Sequence, residues 1–289
     1  MPDNLPATET PFFALPDHAV IALEGPDATT FAQAQFASDV AALAPGHWQW
    51  SAWLTPKGRV IALFALLKLA EDRILLLLAD TDAEALAAQL QRFVFRRKLK
   101  IGAQVDFRAS GAFTPPDSAL DARIGVAGDR VELDFGDGSE PRTLRIHTGP
   151  ATSPVDPQAG MRWAAYDLRH GLPRLASAQR EQWTPQQLSL ERLRAFSVKK
   201  GCYPGQEIVA RTHFLGKAKR GLVLFEASAP VTPGAEVGSG NGMVGSIVSA
   251  CDGDRHLALA VLPLEREALA LDANGVGLRE IALNDGLQR

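Results

Sequence analysis

The chain has 289 residues, 46% of them hydrophobic and 22% charged, with a formal net charge of −3. That length and composition suit a globular protein of two or three domains and exclude a disordered or low-complexity one. The slight acidic excess argues against binding nucleic acid by bulk electrostatics, and two cysteines exclude a disulfide framework and a four-cysteine metal site.

The first residues carry Asp3, Glu9 and four prolines by Pro16, with neither a basic start nor an apolar core, so no secretory signal is expected. A reducing, cytoplasmic setting is the natural expectation. Residues 18–23 read as a strand, and Gly25-Pro26-Asp27 starts a helix that runs to about Phe36. Strands are predicted over 48–54, 60–69 and 74–78. The most hydrophobic span, 60–79, is broken by Lys68, Glu71, Asp72 and Arg73, which makes it a buried hairpin and not a membrane span. Thr81-Asp82-Ala83-Glu84 is a capping-box pattern, after which Ala83, Leu86, Ala87, Leu90, Phe93 and Val94 recur at helical spacing. Arg92, Arg96, Arg97, Lys98 and Lys100 form the densest basic run, read as a solvated face at a helix end.

A loop at Pro115-Pro116 precedes a hairpin of residues 131–135 and 143–147, joined through Gly136-Asp137-Gly138-Ser139. Residues 151–159 have the composition of a linker, and 162–168 follow, ending at Gly171-Leu172-Pro173. Thr184-Pro185-Gln186-Gln187 predicts another helix start. Beyond Gly216-Lys217-Ala218-Lys219-Arg220-Gly221 the texture changes to short β-like runs, and strands are expected at 222–226, 243–250, 256–261 and 278–283.

The chemistry concentrates in Lys199-Lys200-Gly201-Cys202-Tyr203-Pro204-Gly205-Gln206-Glu207. A thiol beside ammonium groups has its thiolate favoured, and the thiolate is the form that attacks electrophiles or binds metal. Proline and glycine at the centre of Tyr203-Pro204-Gly205-Gln206 predict a type II turn, so the thiol is expected on a rigid loop. Ile208-Val209-Ala210-Arg211 looks like the start of a strand. Cys251 follows a strand-like segment and fits a small buried hydrophobe, which leaves Cys202 as the candidate reactive residue.

The run Lys200-Gly201-Cys202-Tyr203-Pro204-Gly205-Gln206-Glu207, followed by Ile208-Val209-Ala210-Arg211 and Gly216-Lys217-Ala218-Lys219-Arg220, resembles the signature of the YgfZ-type folate-binding proteins. These are relatives of the glycine-cleavage T-protein (aminomethyltransferase) superfamily. Supporting segments are Phe31-Ala32-Gln33-Ala34-Gln35 with Ser38-Asp39-Val40, Pro56-Lys57-Gly58-Arg59, Phe93-Val94-Phe95-Arg96-Arg97-Lys98, Gly171-Leu172-Pro173 and Val244-Gly245-Ser246-Ile247-Val248-Ser249. The resemblance implies an α+β ring of three subdomains around a central tetrahydrofolate channel. Two intertwined mixed α/β units would occupy residues 1–215 and a C-terminal β barrel residues 216–289. It also implies an accessory role in assembling or maintaining iron–sulfur enzymes, including ones that modify tRNA. Those enzymes or cluster-assembly proteins would be the partners, without a membrane; direct nucleic-acid binding is not expected from the charge balance, while RNA contact through a local patch stays open.

In the family pattern two tryptophans flank the pterin. Trp163 matches the second, and His18 stands at the first, where an imidazole offers less surface for stacking. Arg169 would hydrogen-bond a carboxylate or pterin oxygen, and Lys200 would steady anionic charge near Cys202. The structural alternatives are a core tryptophan, a surface ion pair and a solvated lysine. Where aminomethyltransferases carry an aspartate pair, this chain has Ala62-Leu63, so true aminomethyl transfer is not expected.

A folate-dependent one-carbon transferase or a cysteine-nucleophile enzyme is the rival reading. His170 and His213 lie at sequence distances compatible with Cys–His pairing, which spacing alone does not establish. In a third reading Cys202 is merely structural in a folate-responsive binding module. One thiol does not hold a cluster, so contact of Cys202 with metal would be transient, and no stable metal site is expected.

Overall fold

The computed structural model describes residues 12–289 apart from Lys217, Asn241 and Ala268. The proline-rich lead through residue 11 and Lys217 of the 216–220 motif lie outside the described residues.

Alternating apolar side chains build the first sheet. The chain runs through β1 (Phe13–Ala14), β2 (Ala19–Glu24), α1 (Ala28–Gln35), β3 (His47–Leu54), β4 (Val60–Ala70), β5 (Arg73–Leu78), α2 (Ala83–Gln91) and β6 (Lys100–Ala103). β3, β4, β5, β2 and β6 pair in that order, all antiparallel. Along β4, Ala62, Phe64 and Leu66 join the core under α1 and α2, while Leu63, Ala65 and Leu67 enter a central core on the opposite face. Burial on both faces explains why this hairpin reads as a nearly unbroken hydrophobic run.

A second sheet follows from β7 (Phe107–Ala112), β8 (Gly125–Ala127), β9 (Arg130–Asp134) and β10 (Thr143–Thr148), in the order β1-β7-β10-β9-β8. α3 (Pro157–Arg169) and α4 (Gln206–Phe214) then lead to a closed barrel. Its strands are β11 (Arg220–Ala227), β12 (Glu236–Ser239), β13 (Gly242–Asp252), β14 (His256–Pro263), β15 (Leu271–Ala273) and β16 (Val276–Ile281). Val223 and Phe225 fill the barrel, whereas Leu222 and Leu224 point out into the central core. Both sheets, Trp163 and Tyr166 of α3, and the barrel wall therefore share one core. Two mixed α/β units and a terminal barrel are the expected architecture.

Four local expectations are corrected. Residues 208–211 belong to α4 and not to a strand: Gly205, at φ +80°, ends the type II turn and its carbonyl accepts from the N–H groups of Ile208 and Val209, starting a helix. The turn itself forms, with the Gln206 N–H donating to the Tyr203 carbonyl at 3.1 Å. α2 is capped by Asp82, which accepts from the Ala85 N–H at 3.0 Å, while the Thr81 hydroxyl donates to Asp80. The Thr184 and Gln187 capping bonds form, but Ser189 at φ 50° turns the chain after one turn into a short 3-10 segment, Leu190–Leu193. The supposed linker overruns the start of α3, which Asp156 caps through the Ala159 N–H with Pro157 in the first turn.

Candidate functional site

Where the two sheets meet α3, a cleft encloses about 390 Å³ of empty space, its open mouth included. Trp50, Leu63 and Phe135 form its apolar wall, and His18, Asp80, Asp167 and Arg174 its polar one. An apolar wall with a few placed polar groups is the lining character of a small-molecule site.

The polar wall is held from behind. Arg142, fully buried, donates to Asp167 Oδ1 at 2.7 Å and to the Trp163 carbonyl at 3.2 Å, with its guanidinium 4.0 Å from the ring centres of both Trp163 and Tyr166. Arg174 takes the other carboxylate oxygen of Asp167 at 3.3 Å. Two guanidinium groups thus hold one buried carboxylate in place at the cleft. Asp80 accepts from the Thr81 hydroxyl at 2.8 Å and from the Leu175 N–H, and burial pushes its carboxyl above the ordinary carboxylate range. Burial, reinforced by the nearby Arg174 charge, holds the His18 imidazole down at about 3, so the ring is neutral at pH 7. His18 Nδ1 and Arg174 Nε are buried without a hydrogen-bond partner.

Of the folate-site residues His18, Trp163, Arg169 and Lys200, only His18 lines this cleft, together with Leu172 and Pro173 of the Gly171-Leu172-Pro173 segment. Trp163 is 0% exposed, boxed by Phe13, Phe113, Phe135 and Arg142, and stands behind the wall that Phe135 presents. Arg169 reaches Glu140 at 3.8 Å on the surface. Leu63 lies in the lining, and no carboxylate comes from its strand. Asp80, Asp167 and Arg174 were not read from sequence, although Asp167, one helical turn after Trp163 on the buried face of α3, was the legible signal.

The Cys202 loop is a separate construction. Lys200 does not turn its ammonium to the thiol: Nζ donates to the carbonyls of Gln33, Phe36 and Ser38 at 2.6, 2.6 and 2.9 Å. All three ammonium protons are thereby engaged, and burial lowers the group to about 8. The Tyr203 hydroxyl donates to the Ser197 carbonyl at 3.0 Å, the Gln206 amide to the Lys200 carbonyl at 3.0 Å, and Gly205 packs on the β3–β4 turn at Gly58. The FAQAQ, PKGR and KGCYPGQE segments therefore form one unit. Cys202 is exposed upon it. His170 is bound instead to Asp137 at 2.9 Å and to the Tyr166 carbonyl at 2.8 Å, and among the described residues no hydrogen bond joins Cys202 to a histidine. Cys251 is partly buried, with burial raising its thiol to about 11. Among the described residues no cluster of three or more His, Cys, Asp or Glu is placed to hold a metal ion, and no helix is long and apolar enough to cross a membrane.

The architecture is that of the glycine-cleavage T-protein. Aminomethyltransferase T of the glycine cleavage system from Bartonella henselae superposes with a TM-score of 0.71, covering 94% of this chain and 84% of that one at 17% sequence identity, a likeness of fold. No protein-family model matches the chain. It is 28% identical to the tRNA-modifying protein YgfZ of Sodalis glossinidius over 276 residues, covering 86% of this chain and 83% of that protein. It is 29% identical to the protein of the same name from Serratia proteamaculans over 250 residues, 80% of this chain and 74% of the relative. An uncharacterized protein of Haemophilus influenzae is 28% identical over 231 residues, 79% of this chain and 77% of that one. The chain thus has the T-protein fold and is similar over most of its length to proteins named YgfZ.

Proposed function

We propose that the chain binds a reduced folate, tetrahydrofolate or a derivative, in the His18–Asp167 cleft, and supports tRNA modification through iron–sulfur enzymes that meet the Cys202 loop. The observation that carries the folate reading is the pair of orphaned buried polar atoms, His18 Nδ1 and Arg174 Nε, beside a cleft walled by Trp50 and Phe135. A planar heterocycle with ring nitrogens and an amide offers those atoms partners and offers the aromatic wall a face. The Asp167 carboxylate, held by Arg142 and Arg174, is an acceptor for ring N–H groups. The relatives named tRNA-modifying proteins support the setting. Support for the thiol role comes from the loop: its other signature side chains Lys200, Tyr203 and Gln206 hold it in place, and Cys202 is left exposed. Since one thiol does not hold a cluster, Cys202 would act as a shared or transient ligand, or as a nucleophile.

The rival enzyme reading has less behind it. A one-carbon transferase of the T-protein kind needs a carboxylate where Leu63 stands, and a cysteine-nucleophile enzyme needs a base that neither His170 nor His213 provides by a hydrogen bond.

Anaerobic calorimetry with tetrahydrofolate tests the cleft. Saturable binding by the wild-type chain, lost in Ala79→Phe, which puts a ring into the cleft, is the expected result. Absence of binding, or binding indifferent to Ala79→Phe, overturns the folate reading. Support of an iron–sulfur tRNA-modifying enzyme by Cys202→Ser at wild-type level overturns the thiol role and leaves the folate result standing.

A further inference from the structure

We infer that residues 92–98 form a docking surface for single-stranded RNA. α2 ends at Gln91, and the chain beyond it presents Phe95 at 75% exposure. Arg96 takes a left-handed backbone, φ 57°, and lays its guanidinium 4.9 Å from the centre of the Phe95 ring. The segment is anchored beneath. Phe93 meets the buried Trp53 edge-on at 5.9 Å, Arg97 donates to the Thr30 hydroxyl at 3.2 Å, and the Lys98 N–H donates to Asp27 at 2.7 Å. A largely exposed aromatic ring with a guanidinium over one face is thereby held out on a fixed support.

Charge selects the partner. Arg92, Arg96, Arg97, Lys98 and Lys100 fall in a stretch with no Asp or Glu between Glu84 and Asp106, on a chain whose net charge is −3. The stretch is basic on a chain that is slightly acidic as a whole, which is why total charge gave no hint of it. A polyanion that also offers flat apolar faces fits both features: cations follow the phosphates and the ring stacks on an unpaired base. A duplex keeps its base faces covered, and a membrane surface would call for more free apolar side chains than Phe95 with the half-covered Phe93. The choice of RNA over DNA rests on the tRNA setting proposed above.

Fluorescence anisotropy with a labelled single-stranded RNA of roughly 20 nucleotides, titrated with the full chain without folate at several salt concentrations, reads this surface independently of the cleft. Saturable, salt-dependent binding is expected, weakened about tenfold by Phe95→Ala and by Phe95→Leu, and retained by Phe95→Trp. The double variant Arg96→Ala with Lys98→Ala should flatten the plot of log affinity against log salt by about 1.4, roughly 0.7 for each phosphate no longer neutralised. Arg130→Ala, at an exposed cation on β9, should leave both readouts unchanged. The inference is overturned by no binding, by binding that ignores the Phe95 and Arg96 variants, by duplex RNA bound as tightly as single strands, or by anionic vesicles bound through these residues when RNA is not. All the substituted side chains lie on the surface, and melting temperatures matching wild type certify the fold.

Discussion

Gly205, three residues beyond Cys202, stands against Gly58 so closely that a Cβ on Gly205 would lie 2.6 Å from the Gly58 Cα and 2.6 Å from the Thr55 carbonyl oxygen. Both glycines have positive φ, +80° and +70°. Gly205→Ala should therefore cost about 2–4 kcal/mol, left-handed strain plus a backbone clash. Gly46→Ala, at φ +76° with nothing within 4 Å of the added carbon, isolates the strain and should cost only about 1–2 kcal/mol. Urea denaturation compares the two, and equal losses would remove the close approach as a constraint on the loop.

Lys200→Met keeps the length of the stem and leaves the carbonyls of Gln33, Phe36 and Ser38 without their donor. A loss of about 2–4 kcal/mol is expected, the unmet acceptors being partly offset by relief from burying a charge. Limited proteolysis should show early cleavage near Ser197–Gly205 if the clamp is what holds the loop.

Asp167→Asn leaves Arg142 buried with a weakened partner and is expected to lower stability by about 3–5 kcal/mol. The double variant Asp167→Leu with Arg142→Leu, which removes both charges, should recover much of that loss in the same denaturation assay. A double variant no better than Asp167→Asn would show that the stacking of Arg142 on Trp163 and Tyr166 matters more than the ion pair.

Acid should destabilise the chain through His18. The unfolded ring takes a proton near 6.5 and the folded ring only near 3, so the unfolded state binds more protons between those values. The stability contributed by the neutral ring is complete above pH 6.5 and falls as pH drops towards 3, with a slope of at most about 1.4 kcal/mol per pH unit. In His18→Gln the denaturation midpoint should fall less between pH 7 and pH 5 than in wild type; parallel curves would mean that the ring titrates in solvent.

The two thiols should separate kinetically. Under native conditions a maleimide should label the exposed Cys202 first, with Cys251 following only on unfolding. Cys202→Ser should change stability by no more than about 0.5 kcal/mol, because the side chain is exposed and outside the bonds that hold the loop.

The sequence by itself determined what local rules govern. The nearly unbroken apolar run of β4, the turn at Pro204-Gly205, the hairpin of β9 with β10 and the change of texture at the barrel are each written in a few consecutive residues. The three-residue β15 and four-residue β12 are too short to leave such a pattern, and Ile208-Val209 carries strand propensity that the left-handed Gly205 overrides by starting a helix. Only the tertiary structure decided what each polar side chain does. Lys200 looks like a cation for the neighbouring thiol and is a clamp on three carbonyls more than 160 positions away in the chain. Trp163 looks like a stacking platform and is core, because Phe135 and Arg142 of the β9–β10 connection cover it. The cleft draws His18, Asp80, Asp167 and Arg174 from separate segments, and the burial that makes His18 neutral and Asp80 hard to ionise exists only after those segments have packed.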